Sequence, residues 1–167
     1  MPQQRRAELA DLQAMWDLRT RAVRVSCASH YAPDIIDAWC AAPAPERLPG
    51  LITAGGALVA EEAGCMLGYA ILDLDSGEVD AVFVEPGQQG RGVARDLMAA
   101  IDNMARQRGL RRLFLSASLN AEPFYQRAAF VSLRRESYPH RSGLQLDSVF
   151  MEKALSCGSM DRPRAPR

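Results

Sequence analysis

The segment from Val79 to Ala94 constrains the fold of this 167-residue chain more than any other segment does. It opens with alternating apolar residues, breaks at Pro86-Gly87 and then contains two glycines, Gly90 and Gly92. Apolar residues follow at the spacing of one helix face, namely Ala94, Leu97, Met98, Ile101, Met104 and Ala105. The segment therefore predicts a strand, a tight turn and the N-terminus of a long helix, in that order.

A turn of this kind can bind an anion. The first turn of a helix has unsatisfied N–H groups and the positive end of the helix dipole. Gly90 and Gly92 have no side chain, so a phosphate could approach the bare backbone there. The turn thus predicts a phosphorylated cofactor held by main-chain amides, although an ordinary strand-to-helix turn that needs glycine is the alternative.

The spacing of the glycines shows which of the known phosphate-binding motifs this segment can match. The Walker loop would end in Gly-Lys-Ser/Thr, which is absent, and the dinucleotide motif would need a small residue where Arg95 stands. The segment instead resembles the acetyl-CoA signature of the GNAT superfamily of N-acetyltransferases, Gln/Arg-x-x-Gly-x-Gly/Ala, which Gln89, Gly92 and Ala94 fill in order. The resemblance implies acetyl-CoA as cosubstrate.

A second segment, Asn120 to Phe130, resembles the Asn-x-x-Ala/Pro-x-x-Phe-Tyr-x-x-x-Gly-Phe pattern of the same family. By this resemblance Asn120 would contact the pantetheine arm, and Tyr125 would protonate the leaving thiolate. A phenol, with an ordinary pKa of ~10, can donate a proton as charge develops on sulfur. The alternative for Tyr125 is a side chain that packs a helix on the sheet. The pattern departs at Ala129, where the family usually has glycine, and this departure bears on the local turn.

The cofactor contacts implied by the resemblance lie at the end of the strand, in the glycine turn and in the second motif. They are Val82, Phe83, Val84, Gln89, Gly90, Arg91, Gly92, Val93, Ala94, Arg95, Asn120 and Tyr125. Within this set, Arg91 and Arg95 could add charge-assisted hydrogen bonds to phosphate, or could be solvated arginines of a first helical turn. The main-chain N–H of Val84 would polarise the thioester carbonyl, because the family has a bulge late in this strand.

The general base has two candidates, Glu78 and Asp80. Glu78 stands at the head of the central strand, where histone-acetylating members of the family have their glutamate base. Asp80 is two residues further, so both carboxylates would point to one face of the strand. A carboxylate with a raised pKa could deprotonate an amine, directly or through a water. The alternative is a charged strand end that faces solvent.

The family builds its acceptor pocket from the first two helices and the loop between the last two strands. Here the resemblance implies an aromatic, mildly polar lining from Cys27, His30, Tyr31, Trp39 and His140. It has no run of acidic residues for a polycation. His30 as a second base and Cys27 as an acylated nucleophile are weaker alternatives, and no metal is implied.

Composition limits the partners and the compartment. Lys plus Arg and Asp plus Glu number 20 each, so no net charge favours nucleic acid or an anionic membrane. The four cysteines form no Cys-x-x-Cys pair, which is typical of a reducing compartment. An N-terminal signal core is absent. These features predict a cytoplasmic protein.

Periodicity predicts an α/β fold. Strands are predicted at residues 57–61, 66–74, 77–84, 113–117, 130–138 and 144–153, and helices from Asp11, from Pro33, over 90–108 and over 122–128. With a brief strand near residues 3–6, the order (β)ααβββαβαββ matches the GNAT arrangement of a mixed central β-sheet flanked by helices on both faces. Residues 1–155 would form one domain, and residues 156–167 a disordered tail rich in Pro and Arg.

The resemblance implies an N-acetyltransferase that moves acetyl from acetyl-CoA to a primary amine in a ternary complex. The acceptor could be a small-molecule amine or a protein lysine or N-terminus. A non-catalytic acyl-CoA sensor or an unrelated α/β domain would also fit the same residues, and a homodimer is left open.

Overall fold

A computed structural model describes residues 1–139, 143 and 145–156. Its strands are β1 (Gln3–Arg6), β2 (Ala57–Glu62), β3 (Cys65–Leu72), β4 (Val79–Val84), β5 (Arg112–Ser118), β6 (Val131–Pro139) and β7 (Gln145–Ala154). Its helices are α1 (Leu12–Ser26), α2 (Pro33–Ala41), α3 (Leu48–Thr53), α4 (Val93–Gln107) and α5 (Glu122–Arg127). This order confirms the predicted fold class, including the first strand.

The strands form two sheets that touch at one point. The first sheet has the antiparallel order β1-β2-β3-β4 and the second the order β5-β7-β6. Within the described residues, β4 and β5 are linked through a single parallel bridge, Glu78 to Phe114, next to the hydrogen bond from the Phe114 N–H to the Gly77 oxygen. Beyond that bridge the two strands diverge, and a gap opens between them.

Helices cover both faces of the first sheet. On one face α4 packs its apolar stripe, including the fully buried Leu97 and Ile101, against β3, β4 and β5. On the other face α1 and α3 bury Met15, Leu18 and Ile52 against β2 and β3. The apolar spacing read from the sequence is therefore the pattern of a sheet that is covered twice.

Several boundaries differ from the predictions. The helix after the glycine turn begins at Val93 rather than Gly90, because Gly90 and Gly92 both have left-handed φ angles that a helix cannot continue through. The helix Leu48–Thr53 was not predicted; its proline lies in the first turn, where no donor is needed, and its Leu48 is buried.

Some predictions concern residues beyond this description. The tail from residue 157 onward and the acceptor candidate His140 lie outside the described residues. Across the part of the chain that is described, no helix combines the length and the apolar character needed to cross a membrane.

Candidate active site

The gap between β4 and β5 contains a cavity of about 970 Å³. Its walls come from α1, the C-terminal half of β4, the glycine turn, α4, the end of β5 and α5. Small-molecule sites commonly measure ~300–1,000 Å³, so this cavity could hold a large ligand. It extends from the N-terminus of α4 to Tyr125, which joins the two predicted motifs in one site.

The glycine turn lies at one end of this cavity. Gly90 and Gly92 have φ angles of 82° and 78°, and Gly92 is the residue before the first turn of α4. Gly92 is the N-cap residue and has no side chain to cap that turn, which leaves first-turn N–H groups for an anion. The Gln89 amide nitrogen donates a 2.9 Å hydrogen bond to the Ser26 hydroxyl and so ties the turn to the end of α1.

The two arginines of the turn have different surroundings. Arg95 lines the cavity, and its nearest carboxylate is that of the adjacent Asp96, at 3.4 Å. Arg91 is not among the lining residues; its guanidinium contacts Glu62 at 2.9 Å and the Gln88 side chain at 2.6 Å. Of the two, only Arg95 is oriented for direct contact with a ligand in the cavity.

The C-terminal half of β4 forms the cavity's side wall through Val82, Phe83 and Val84. The Glu85 N–H donates to the Leu67 oxygen on β3. Because successive N–H groups along a strand point to opposite edges, the Val84 N–H faces the gap. The predicted bulge near Val84 is wrong, since the register shift lies at the start of the strand.

Asn120 lies at the opposite wall, beside Cys27. The Cys27 thiol donates a 3.2 Å hydrogen bond to the Asn120 side-chain oxygen, and both residues line the large cavity. Burial raises the pKa of Cys27 to about 11. The thiol is therefore protonated at neutral pH, which argues against Cys27 as a nucleophile.

Tyr125 lies where the site narrows. Its side chain is 7% exposed and packs edge-on against Phe124 and Phe130, at centroid distances of 5.1 and 5.7 Å. Burial raises the pKa of the Tyr125 phenol above its ordinary value. The phenol therefore keeps its proton at neutral pH and has a proton to donate.

A second, smaller cavity of about 90 Å³ lies on the other side of Tyr125. Five residues line both cavities, Val82, Phe83, Ser118, Ala121 and Tyr125. The small cavity also has an aromatic wall, in which the rings of Tyr31 and Trp39 are 5.3 Å apart and nearly perpendicular. Its other side is formed by Ser116 of β5 and by Leu146, Asp147 and Ser148 of β7.

Glu78 and Asp80 lie at the point where the sheets meet, and neither lines either of these two cavities. Leu72 pairs with Val79 and Ile71 with Ala81, so Asp80 is the extra residue of a bulge. The Asp80 carboxylate is 3.2 Å from the Arg47 guanidinium. Burial, and then the charge of Asp80, raise the pKa of the half-buried Glu78. At ~3.3 Å per residue, Glu78 is about 13 Å along the strand from Val82.

The structure divides the predicted acceptor residues between the two cavities. Tyr31 and Trp39 line the small cavity, whereas Cys27 and the exposed His30 line the large one. Sequence reasoning missed the serines of the small cavity. Alternation along β5 could have found Ser116 and Ser118, because apolar residues occupy the positions between them; no local signal marks Ser148.

The chain is similar to known proteins both in sequence and in fold. A family model described as an acetyltransferase (GNAT) domain matches residues 27–153. The chain is 31% identical over 107 residues to an IAA acetyltransferase from Azospirillum brasilense. The aligned region covers 59% of this chain and 67% of that protein.

Solved structures are similar over nearly the whole chain. A GCN5-related N-acetyltransferase from Rhodopseudomonas palustris superposes with a TM-score of 0.83 at 25% identity, covering 93% of this chain and 96% of that one. The Salmonella typhimurium protein yncA, solved with its cofactor acetyl-CoA, has a TM-score of 0.66 at 23% identity and covers 100% of this chain and 98% of its own. The second likeness concerns the fold alone.

Proposed function

The chain belongs to the GNAT acetyltransferase family, and we propose that it transfers the acetyl group of acetyl-CoA to a primary amine by direct attack in a ternary complex. The observation that carries this proposal is the meeting of two cavities at Tyr125, in the gap between β4 and β5. A cosubstrate in the large cavity and an acceptor in the small one would bring their reacting atoms together there. Such positioning lowers the barrier by proximity.

Acetyl-CoA is the cosubstrate of this acyl-CoA-dependent enzyme. Its pyrophosphate would accept hydrogen bonds from the first-turn N–H groups of α4, beside Gly90 and Gly92. Arg95 would add a charge-assisted contact, whereas Arg91 would act indirectly by holding Gln88 in place. The pantetheine arm would then lie along residues 82–84 of β4, with Asn120 on the opposite side.

The chemistry forms a carbon–nitrogen bond and breaks the carbon–sulfur bond of the thioester. The Val84 N–H, which points into the gap, would stabilise negative charge on the thioester oxygen. Tyr125 would donate its proton to the leaving sulfur, which its burial and protonated state support. An acceptor that arrives as an ammonium would lose two protons in each turnover. One, passed through water, would restore the proton that Tyr125 gives to the thiol, and the other would leave to solvent through Glu78, so both residues return to their starting states.

We assign the general base to Glu78 rather than Asp80. Glu78 has a raised pKa and lies at the base of the gap between β4 and β5. Its bridge partner on β5 is Phe114, which is two residues before Ser116. The separation of about 13 Å from Val82 requires the proton to travel through water. Asp80 pairs with Arg47, and its charge helps to keep the pKa of Glu78 high.

The size and walls of the small cavity favour a small-molecule amine as acceptor. At about 90 Å³ the cavity is well below a complete ligand site of ~300 Å³, so it would take only the part of the acceptor near its amine. An amino group of a protein is the alternative acceptor, with its chain extending into solvent. A sensor without turnover is a second alternative, and it would give the protonated phenol at the junction no role in chemistry.

We extend the proposal to the organisation of the chain. Residues 1–155 would form one catalytic domain, since β1 already pairs with β2 and β7 ends at Ala154. The scattered cysteines support a reducing, cytoplasmic compartment.

Calorimetric titration with acetyl-CoA, followed by thiol trapping of released CoA, tests this function. The amines offered should include amino acids, polyamines, arylamines, aminoglycosides and short peptides. Binding together with release that depends on one amine class supports the proposal. Tight binding without release from any amine supports the sensor, and no binding rejects the proposed function.

A further inference from the structure

We propose that the Ser148 hydroxyl binds the acceptor, and that the acceptor therefore carries a hydrogen-bonding group, such as a hydroxyl, within a few bonds of its amine. This inference rests on the proposed function and deepens it, because it names the chemical class of the acceptor. It also assigns a role to a residue that neither sequence motif contains.

The Ser148 side chain is a polar group in a buried position. Its side chain is 2% exposed, and its hydroxyl oxygen has no hydrogen-bond partner among the described residues. In the second sheet Ser148 of β7 is paired directly with Ser118 of β5 and with Glu136 of β6. Buried hydroxyls in folded proteins almost always have a partner, so an unpaired one calls for an explanation.

The position of Ser148 supplies that explanation. Ser148 lines the small cavity together with Tyr31 and Trp39. The cavity, at about 90 Å³, has several times the ~10–15 Å³ that a single water needs. A ligand that enters it would bury apolar atoms against the two rings and could pair with the hydroxyl of Ser148.

The shared residues locate the reacting nitrogen. The acceptor amine must meet the thioester where the two cavities join, next to Tyr125 and Ser118. Ser148 lines the small cavity but not the large one. The buried Ser148 hydroxyl would turn into the small cavity and pair with a second polar group of the acceptor, beyond the nitrogen that is acetylated. Amino alcohols and amino amides have this arrangement, whereas simple alkylamines lack it.

Two matched pairs of amines test the inference, ethanolamine against n-propylamine and 2-amino-1-propanol against 2-aminobutane. Each pair differs by a hydroxyl in place of a methyl. We expect wild-type kcat/KM to favour the hydroxyl member by about tenfold, because a polar site rejects an analogue that leaves it unpaired. In Ser148→Ala the ratio should fall to about one, with the KM for acetyl-CoA unchanged.

The control variant is Ser137→Ala. Ser137 is an exposed serine of the adjacent strand β6, it bonds to Gln145, and it lines neither cavity. This variant should keep the wild-type ratio. Ser148→Ala should melt at the wild-type temperature or above it, since the hydroxyl it removes has no partner in the described part of the chain. A lower melting temperature would assign the hydroxyl to the fold and overturn the inference.

Different results would reject the role of Ser148 and the proposed acetyl transfer. If acetyl-CoA binds and amines outside these pairs are acetylated, but neither pair is a substrate or the ratio is the same in Ser148→Ala, the role of Ser148 is wrong and the proposed function stands. If acetyl-CoA does not bind, both the proposed function and this inference are wrong.

Discussion

The Tyr31 hydroxyl donates a 2.6 Å hydrogen bond to the main-chain oxygen of Asp147, which is 116 residues further along the chain. The same hydroxyl accepts a 3.0 Å hydrogen bond from the Leu119 N–H, just after β5. Tyr31 thus ties the segment between α1 and α2 to two strands of the second sheet. Since the ring of Tyr31 also contacts Trp39, this hydroxyl fixes the aromatic wall of the small cavity.

The variant Tyr31→Phe should loosen that wall without changing the ring. It leaves the Leu119 N–H and the Asp147 oxygen without this partner, which should lower the free energy of unfolding by ~1–2 kcal/mol. The KM for the acceptor should rise several-fold, while affinity for acetyl-CoA should be kept because Tyr31 is not a wall of the large cavity. Urea denaturation and steady-state kinetics measure both effects, and a variant unchanged in both would refute this role.

The variant Tyr125→Phe tests the proposed acid. Phenylalanine keeps the packing against Phe124 and Phe130, so calorimetry should show wild-type affinity for acetyl-CoA. The rate should fall by ~100-fold or more, the usual contribution of general acid catalysis. Because burial raises the pKa of Tyr125 above its ordinary ~10, the size of the loss should be constant between about pH 6 and pH 9. An unchanged rate would remove the acid assignment.

The pH profile tests the proposed base. A carboxyl acts as a base only when it is ionised, so the rate should fall as the pH drops through the raised pKa of Glu78. Glu78→Gln should remove this acidic limb together with most of the rate. Asp80→Asn should move the limb to lower pH, because it removes a neighbouring negative charge that raises the pKa of Glu78.

Asp75→Asn is the control for these variants. Asp75 lies in the turn just before Glu78, is exposed, and pairs with Arg108 rather than with Arg47. Its substitution should leave the profile in place. An acidic limb that Asp80→Asn does not move would separate Glu78 from the chemistry.

Alanine variants of two glycines at opposite ends of α4 distinguish the binding role of the phosphate turn from the effect of backbone strain. Gly92 and Gly109 have φ angles of 78° and 82°, so alanine at either position should cost about 1 kcal/mol of stability. Only at Gly92 would the new Cβ crowd the site, at 2.8 Å from the Arg95 guanidinium; at Gly109 it meets open space. Gly92→Ala should therefore weaken acetyl-CoA binding, and Gly109→Ala should not. Equal affinities in calorimetry would remove the anion-binding role of the turn.

The fold was largely predictable because its signals are local. The alternating strand, the two glycines and the helical apolar stripe all lie between Val79 and Ala105, and each follows from short-range sterics or burial. The departure at Ala129 falls at a residue with a left-handed φ angle. Ala129 adopts φ 72°, and the Phe130 N–H still donates to the Tyr125 oxygen at 3.0 Å. Alanine thus occupies a left-handed position where glycine would be less strained.

The site was less predictable because it depends on contacts between distant segments. The bulge at Asp80 arises from the register of β3 against β4, and the environment of Ser148 from the pairing of β5 with β7. Neither register can be read from a single strand. The predicted acceptor residues lie in two different cavities for the same reason. The gap between β4 and β5, where these cavities form, opens only beyond the Glu78–Phe114 bridge.

The most direct test of the central claim is the initial rate of CoA release with acetyl-CoA and an accepted amine varied together. Direct attack in a ternary complex predicts release that requires the amine and double-reciprocal lines that intersect. Parallel lines would instead indicate that the acetyl group passes first to the enzyme, which the protonated Cys27 thiol gives no reason to expect. Parallel lines, or release at the same rate without any amine, would contradict the account.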